Sequence, residues 1–441
     1  MRIWLLGTEG RLAKMARHLN KFGHDVFFSG PGCPGTERHA SRIKFDLKEL
    51  DFQKMRQLAS DHAIDLAVPG SEDLLDQGIV NEFEGVCRVF GPTREAVKLE
   101  TDKRFSYEIM TNVKIPQAFT RWYENFHIAY GDLKSHFDNF DLPLVIKPQG
   151  PTAGKGVIVA HDLATGKKAL KDMLVDHKYK EASRMIGLAD YLTGSECTVF
   201  VLSDGHEDSI RFFAAARDCK AAWPAKDGKP AGPNTGGMWG LSSIPEWDEF
   251  LYEEVMGYAR NVIRLMRRMR HPFRGCLYIS LKLVPMEDLP RLVTPTVVEF
   301  NGRFGDPEAQ ATFERLESDL APILWACTES GKLNSVEIKM SDRVGGCLVI
   351  AAPGYPESSQ KGGKITGTEE AEALGVEVEH CGTKLNDANE LVVDGGRVLN
   401  LNASDANVEA LRDKLNRAAA CIHFEGGQHW RNDFGDPSVA S

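Results

Sequence analysis

No apolar run in this chain of 441 residues approaches the roughly 20 residues that a bilayer-spanning helix requires; Val344 to Ala352 is among the longest. That argues against any membrane role. The nine cysteines (Cys33, Cys87, Cys197, Cys219, Cys276, Cys327, Cys347, Cys381 and Cys421) form no CxxC pair, and the histidines do not cluster. A disulfide framework and a zinc site are therefore disfavoured, and a reducing cytoplasm is the expected location. A net basic charge is also missing. At −10 the chain is a poor candidate for coating nucleic acid, although a local basic pocket for phosphates stays open. The basic stretch from Arg260 to His271 falls on an amphipathic helical pattern and reads as a solvated face. Internal repeats and low-complexity segments are absent too. What remains, 42% hydrophobic and 26% charged residues, is the composition of a globular protein of two to four domains.

The first hundred residues alternate short apolar runs with helical patterns. Ile3–Leu6, Asp25–Phe28, Leu66–Val68 and Val86–Phe90 read as strands, and 12–22 and 52–62 as helices. Met1-Arg2 runs directly into the first strand, with too little apolar sequence for a signal-peptide core. This βαβ alternation predicts a small parallel sheet with a nucleotide- or sugar-phosphate-binding character. Gly91-Pro92-Thr93 punctuates the chain before a helix expected to start near Arg94. A second unit opens near Asp102-Lys103 and contains the strand Leu144–Pro148, the loop Gly150–Gly156 and the return strand Val157–Ala160. A third begins near residue 336, with strands in 345–352 and 396–401 and a closing helix at 408–422. The tail from Asp433 to Ser441 is expected to be loose.

Chemistry concentrates in Glu299-Phe300-Asn301-Gly302-Arg303-Phe304-Gly305-Asp306-Pro307-Glu308. The β-branched run before it predicts a strand, which places Glu299 and Asn301 on one face. Two hard oxygen donors there suit a magnesium ion that keeps its waters and bridges nucleotide phosphates. Arg303 can clamp a carboxylate or phosphate. Lys147 ends an apolar strand just before the glycine-rich loop, and Lys103 is a second cation placed to reach phosphate. The loop is a hairpin flap and not a Walker loop, because Lys155 is followed by Gly156 and a strand. Its amides could close over phosphates while Lys155 screens charge. Gly7-Thr8-Glu9-Gly10-Arg11 follows the first strand and opens a helix, so it is either an anion site or a tight turn with packing significance. It does not complete a dinucleotide fingerprint, which counts against a nicotinamide oxidoreductase. Gly232–Met238 has too much glycine for a regular element and is expected to be an ordered loop approaching a ligand, against the alternative of a flexible connector.

Taken together, these motifs resemble the phosphoribosylamine–glycine ligase (glycinamide ribonucleotide synthetase) family of the ATP-grasp superfamily. The resemblance runs the length of the chain, through Pro31-Gly32 with Gly35-Thr36, Gly70-Ser71-Glu72, Phe90–Thr93, Ile146-Lys147, Ala153–Gly156, the Glu299 run, Gly354-Tyr355-Pro356, Gly382–Leu385 and Gly395–Leu399. It implies an α/β (α+β multidomain) fold: an N-terminal parallel α/β domain over 1–101, an ATP-grasp core over 102–335 with an inserted flap subdomain at about 117–193, and a C-terminal mainly β domain over 336–432, before the tail 433–441. It implies an acyl-phosphate ligase using ATP and Mg2+, or Mn2+, acting on small molecules as a monomer or homodimer.

By the same resemblance Glu299 and Asn301 hold the metal. Lys103, Lys147, Gly154, Lys155, Gly156, Asp190 and Glu196 contact ATP, and Lys155, Arg303 and Asp306 serve catalysis. Gly7, Gly10, Arg11, Gly32, Gly35, Glu72, Asp218, Lys220, Asn234, Thr235, Gly236 and Gly237 face the substrates. The chain departs from the family pattern in places. Glu9, Leu12 and Ala13 replace glycine, glutamate and histidine in the first turn, Cys219 and Ala221 replace histidine and arginine beside Asp218 and Lys220, and the adenine hinge reads Ala189-Asp190-Tyr191-Leu192. The expected reaction joins glycine to 5-phosphoribosylamine. The alternatives are a paralogue joining another amino acid or amine, and a catalytically silent ATP- or metabolite-binding protein.

Overall fold

A computed structural model of the chain describes residues 1–31, 33–152, 156–226, 229–286 and 292–436. The N-terminal residues form a five-stranded, wholly parallel sheet in the order Ser41–Arg42, Asp25–Ser29, Arg2–Leu6, Leu66–Pro69, Arg88–Val89. The two central strands read as continuous apolar runs because both faces are covered. On one side Trp4, Leu6, Phe83 and their neighbours form a core of their own. On the other, Ile3, Leu5 and the apolar stripe of the helix Gly10–Lys21 share a core with Phe200, Phe213 and Phe304 from the rest of the chain. The stretch after Thr93 stays in turns until the helix Lys98–Thr101. The helix expected near Arg94 is delayed because the Arg94 amide bonds Asn81 Oδ1 at 3.0 Å.

Residues 120–190 build a four-stranded antiparallel sheet in the order Thr120–Tyr123, Ile186–Asp190, Leu144–Pro148, Ile158–Ala160. The helices Phe126–Asn139 and Leu163–Leu174 cover one face, capped at their starts by the Asn125 and Asp162 side chains. This is the flap, with Lys147 near the end of its strand.

The largest element is an eight-stranded antiparallel sheet: Val293–Asn301, Arg274–Pro285, Ser195–Asp204, Arg211–Lys226, Lys229–Ser242, Val344–Ala351, Arg397–Asp405, Glu377–His380. Its first five strands belong to the region read as the core and its last three to the region read as a third unit. Trp239 pairs with Leu348 and Ser242 with Gly345, so the C-terminal strands extend the core's sheet. The helix Glu249–Arg268 packs its apolar stripe on the core strands, and Arg264 and Arg267 lie on its outer side against Glu207. No helix among the described residues is long and apolar enough to cross a membrane.

Two expectations fail for physical reasons. Residues 232–238 are not a loop but the body of the strand Lys229–Ser242, whose register against Arg211–Lys226 shifts three times. The glycines are used where other parts of the protein press on the strand. Gly237 sits at φ +109 against the ring of Pro307, and a Cβ on Gly240 would lie 2.6 Å from the Pro307 carbonyl oxygen. The tail is also not loose from Asp433. Phe434 is fully buried against Trp239, and Asp433 Oδ2 accepts from the Ala225 amide at 2.7 Å. Residues 437–441 lie outside the described residues.

Gly237→Ala combines a left-handed backbone with a steric overlap on Pro307. It is expected to destabilise the protein by about 1–3 kcal/mol, read as a lowered thermal unfolding midpoint.

Candidate functional site

The strand Val293–Asn301 buries Phe300 in the core and turns Glu299 and Asn301 to the opposite face, where both are half-exposed. Among the described residues neither side chain has a protein hydrogen bond or ion pair, which leaves their oxygens available. No group of three or more His, Cys, Asp or Glu side chains among the described residues could hold a metal ion. The donor set thus fits an ion that takes most of its ligands from phosphates and water, as magnesium does, and does not fit a cation needing an all-protein cage.

Lys147 and Lys103, from different segments, lie near enough for their charges to act on one another. Burial lowers the Lys147 ammonium to about 8, with Lys103 adding to the effect and Glu299 opposing it. Lys103 opens the helix Lys103–Asn112, capped by the Asp102 side chain, and its Nζ lies 3.5 Å from the Gly150 carbonyl. Gly156 donates its amide to Thr152 Oγ1 at 3.1 Å. Gly154 and Lys155 lie outside the described residues, as does Gly32. Asp190 is exposed at the end of its strand. Glu196, expected to contact ATP, is paired with Lys282 at 3.3 Å and Lys220 at 3.6 Å. Burial pushes its carboxyl up, but the two lysines outweigh burial and hold it below the ordinary value.

The rest of the Glu299 run is bound to the protein itself. Asp306 Oδ2 accepts the Arg11 amide at 3.0 Å, at the start of the helix Gly10–Lys21, and Asp306 Oδ1 pairs with Arg397 Nη1 at 2.9 Å. The anion that the glycine turn was read as awaiting is, at the Arg11 amide, this carboxylate from the far end of the chain. The Arg11 guanidinium is consumed as well, by the carbonyls of Phe304 (3.0 Å) and Gly70. Arg303 lies between Glu72 and Glu100, each at 3.2 Å, and Gly302 donates its amide to Glu100 at 2.7 Å. Arg303, Asp306, Arg11 and Glu72, expected to meet substrate, thus join the N-terminal sheet to the large sheet.

Other expected contacts resolve in the same way. Gly35 packs against the His380 ring. Asn234 lies opposite Ala221 in the hairpin, Thr235 donates its hydroxyl to the Lys220 carbonyl at 2.8 Å, and the Gly236 amide bonds the Tyr355 hydroxyl at 3.2 Å. The Gly237 amide donates to Thr235 Oγ1 at 3.0 Å. A cavity of about 280 Å3 remains between the first turn and the C-terminal strands. Its lining includes Thr8, Glu9, Gly10, Asp306, Arg397 and Asn400. Glu9 folds back over Gly7 and Gly70 with Oε1 3.8 Å from Arg11, which partly neutralises it. Leu12 and Ala13, two other departures from the family pattern, are buried core residues.

Sequence reasoning missed Glu100, Lys282, Tyr278 and Arg397 as members of this region. Arg397 stood inside a Gly-Gly-Arg motif noted only for its order. Glu100, on an unremarkable helical turn, and Lys282 and Tyr278, inside an apolar strand, carried no signal.

The sequence matches three family descriptions along its length: "Phosphoribosylglycinamide synthetase, N domain" over residues 1–100, "Phosphoribosylglycinamide synthetase, ATP-grasp (A) domain" over 101–309, and "Phosphoribosylglycinamide synthetase, C domain" over 346–437. A curated relative named phosphoribosylamine–glycine ligase from Vibrio vulnificus (strain CMCP6) is 32% identical over 446 residues, covering 100% of this chain and 99% of that protein. One of the same name from Neisseria meningitidis serogroup B is 33% identical over 442 residues, with both chains fully covered. Among solved structures, phosphoribosylamine–glycine ligase from Thermotoga maritima superposes with a TM-score of 0.82 at 23% identity over 100% of each chain. A biotin carboxylase from Campylobacter jejuni in complex with a nucleotide gives 0.70 at 15% identity, over 98% of this chain and 93% of that one.

Burial lifts the Glu100 carboxyl to about 7, with Arg303 opposing and Glu72 adding to the rise. Between the unfolded value of 4.5 and about 7 the folded state therefore holds a proton that the unfolded chain has released. The stability this group contributes is complete below pH 4.5 and lost as pH rises through 7. The wild-type unfolding midpoint is expected to fall between pH 6 and pH 8 by an increment that is absent in Glu100→Gln, measured by thermal scans at both pH values.

Proposed function

The chain belongs to the phosphoribosylglycinamide synthetase family, and from that premise we propose that it is the ATP-dependent ligase joining glycine to 5-phosphoribosylamine, a step of purine synthesis. The observation that carries this reading is that Lys103, Lys147 and Glu299, from three separate segments, come close enough for Lys103 and Glu299 both to act on the Lys147 ammonium. Phosphoryl transfer to a carboxylate brings negative charges together, and it proceeds only where they are neutralised at once.

Lys103 and Lys147 take the phosphates of ATP, and Asp190 lies where the nucleotide sugar would come. Glu299 and Asn301 would hold the magnesium that accompanies ATP. When bound, that ion supplies further charge neutralisation on the transferring phosphoryl group. Gly156 would lie beside the nucleotide, where exclusion of water protects the glycyl phosphate from hydrolysis. Glu196 acts indirectly, holding Lys220 and Lys282 on the floor of the cleft. Arg303 and Asp306 also act through protein partners, fixing the N-terminal sheet and Arg397 against the reacting end. The cavity between the first turn and the C-terminal strands is the place for the amine substrate, with Thr8 and Gly10 on one wall and Asn400 on the other. The amine then displaces phosphate from the glycyl carbon, giving glycinamide ribonucleotide, ADP and phosphate.

Glu299→Ala and Lys147→Ala are each expected to lower ATP turnover by 10²-fold or more while the far-UV circular dichroism and unfolding midpoint stay near wild type. Undiminished turnover in either protein removes the site assignment. Incubation with ATP, magnesium, freshly generated phosphoribosylamine and glycine tests the reaction itself, with ADP expected only when both substrates are present.

The lowered Lys147 gives a pH prediction whose sign is fixed. The ammonium is lost as pH rises through about 8, so kcat/KM for ATP is expected to fall above that pH. In Lys147→Arg the charge persists, and that alkaline limb should move beyond the measurable range.

A further inference from the structure

Asp218 is a buried carboxylate that the ATP chemistry leaves without a task. It is 7% exposed, among the described residues no ion pair within 4 Å reaches its carboxylate, and the hydrogen bond that acts on it comes from the backbone of Asp218 itself. The Lys220 ammonium contacts Glu196 at 3.6 Å, yet Asp218 is the charge that acts on it most strongly, through space. Burying an ionisable group without a counter-charge in contact is costly, so the arrangement needs a reason. Its place in the fold suggests one. The strand Arg211–Lys226 is fourth in the large sheet, between the strand carrying Glu299 on one side and those carrying Gly237 and Arg397 on the other. Asp218 is registered against Gly240, the glycine on which Pro307 and the start of the helix Glu308–Phe313 rest, with the Glu308 amide 3.1 Å from the position a Cβ would take. It therefore lies between the phosphate end of the cleft and the segment that walls the amine cavity, where acyl group and amine must meet.

We propose that the Asp218 carboxylate accepts the proton that the attacking amine sheds as the amide bond forms. This rests on the ligase reading above. The amine lone pair attacks the carbonyl carbon of glycyl phosphate and forms the C–N bond. The C–O bond to phosphate then breaks with its electron pair, inorganic phosphate leaves, and the surplus proton on nitrogen passes to Asp218 and on to solvent. The surroundings prepare the group for this work. Burial lifts its carboxyl to about 7, Lys220 pulls it down, and Glu308 and Glu196 push it up. Tyr278 also faces it. Glu308 is held in place by the Tyr278 hydroxyl at 2.9 Å, and Tyr278 in turn receives the Thr198 hydroxyl at 3.0 Å. A base that ionises near neutral pH combines the correct protonation state with useful basicity.

The test uses the full chain with magnesium-ATP, glycine and freshly generated phosphoribosylamine. In Asp218→Asn, kcat for amide formation is expected to fall by roughly 10²-fold or more. The acid limb of the wild-type kcat profile should vanish, and KM for glycine should stay within about twofold. Glycine-dependent scrambling of the β,γ-bridging oxygen of ATP, which reports glycyl phosphate formation alone, should persist. A kcat within about tenfold of wild type overturns the proposal, as does an unchanged acid limb. A defect confined to KM for glycine would make Asp218 a binding partner of the glycine ammonium, and loss of scrambling would place its role before acyl transfer; either also overturns it. If wild-type protein itself shows no glycine-dependent scrambling, the ligase reading fails instead. Should Asp218→Asn not fold, Glu308→Gln decides, since removing that neighbouring charge must move the acid limb to lower pH. An unmoved limb overturns the proposal.

Discussion

The carboxylate of Asp306 is the interaction on which the architecture depends. One oxygen accepts the amide at the start of the first helix and the other holds Arg397 on a C-terminal strand. A single side chain from the Glu299 run thereby fastens both ends of the chain to the large sheet. Burial pushes this carboxyl up, yet Arg397 and Arg11 outweigh burial and hold it below its ordinary range. The charge is retained because donors from two directions replace the water it has lost. Beside it, Phe304 reinforces the same junction by packing on Phe90, Phe200, Phe213 and Phe313 at ring separations of 5.3–5.8 Å.

This junction accounts for the division of labour within ten residues of sequence. Glu299 and Asn301, still on the strand, have no side-chain partner among the described residues. Beyond Gly302 the chain turns away from the sheet, and Arg303 and Asp306 meet Glu72, Glu100, Arg11 and Arg397. Among the described residues Glu299 and Asn301 thus keep their side chains clear of ion pairs, whereas Arg303 and Asp306 are paired. A second buried set, in which Lys14 joins Glu314 and Glu377 while Arg17 joins Glu379, binds the first helix to the strand Glu377–His380 by the same means. Such pairs contribute more to fixing one arrangement of the units than to net stability, since desolvation offsets much of their attraction.

Much of the fold was legible from periodicity. The parallel N-terminal sheet, the flap hairpin around Lys147 and the closing helix Val408–Cys421 all follow from apolar runs and turn residues whose meaning is local. Gly232–Met238 was misread because its glycines serve the approach of Pro307 and the guanidinium of Arg397, partners some 70 and 160 residues further along the chain. The tail was misread for the same reason, as Phe434 finds its cover on Trp239.

By itself the sequence determined the elements, the family and the face on which Glu299 and Asn301 lie, because strand alternation and motif order are properties of neighbouring residues. Only the tertiary structure decided which charges are free to act. Arg303, Asp306 and Arg11 carry the side chains of a substrate clamp, yet Arg303 and Asp306 are neutralised, and Arg11 is held by carbonyls, through groups distant in sequence. Asp218 reads as an ordinary strand residue, yet it is buried with no ion pair within 4 Å among the described residues. Charge compensation acts through space at a few ångströms and leaves no periodic trace along the chain.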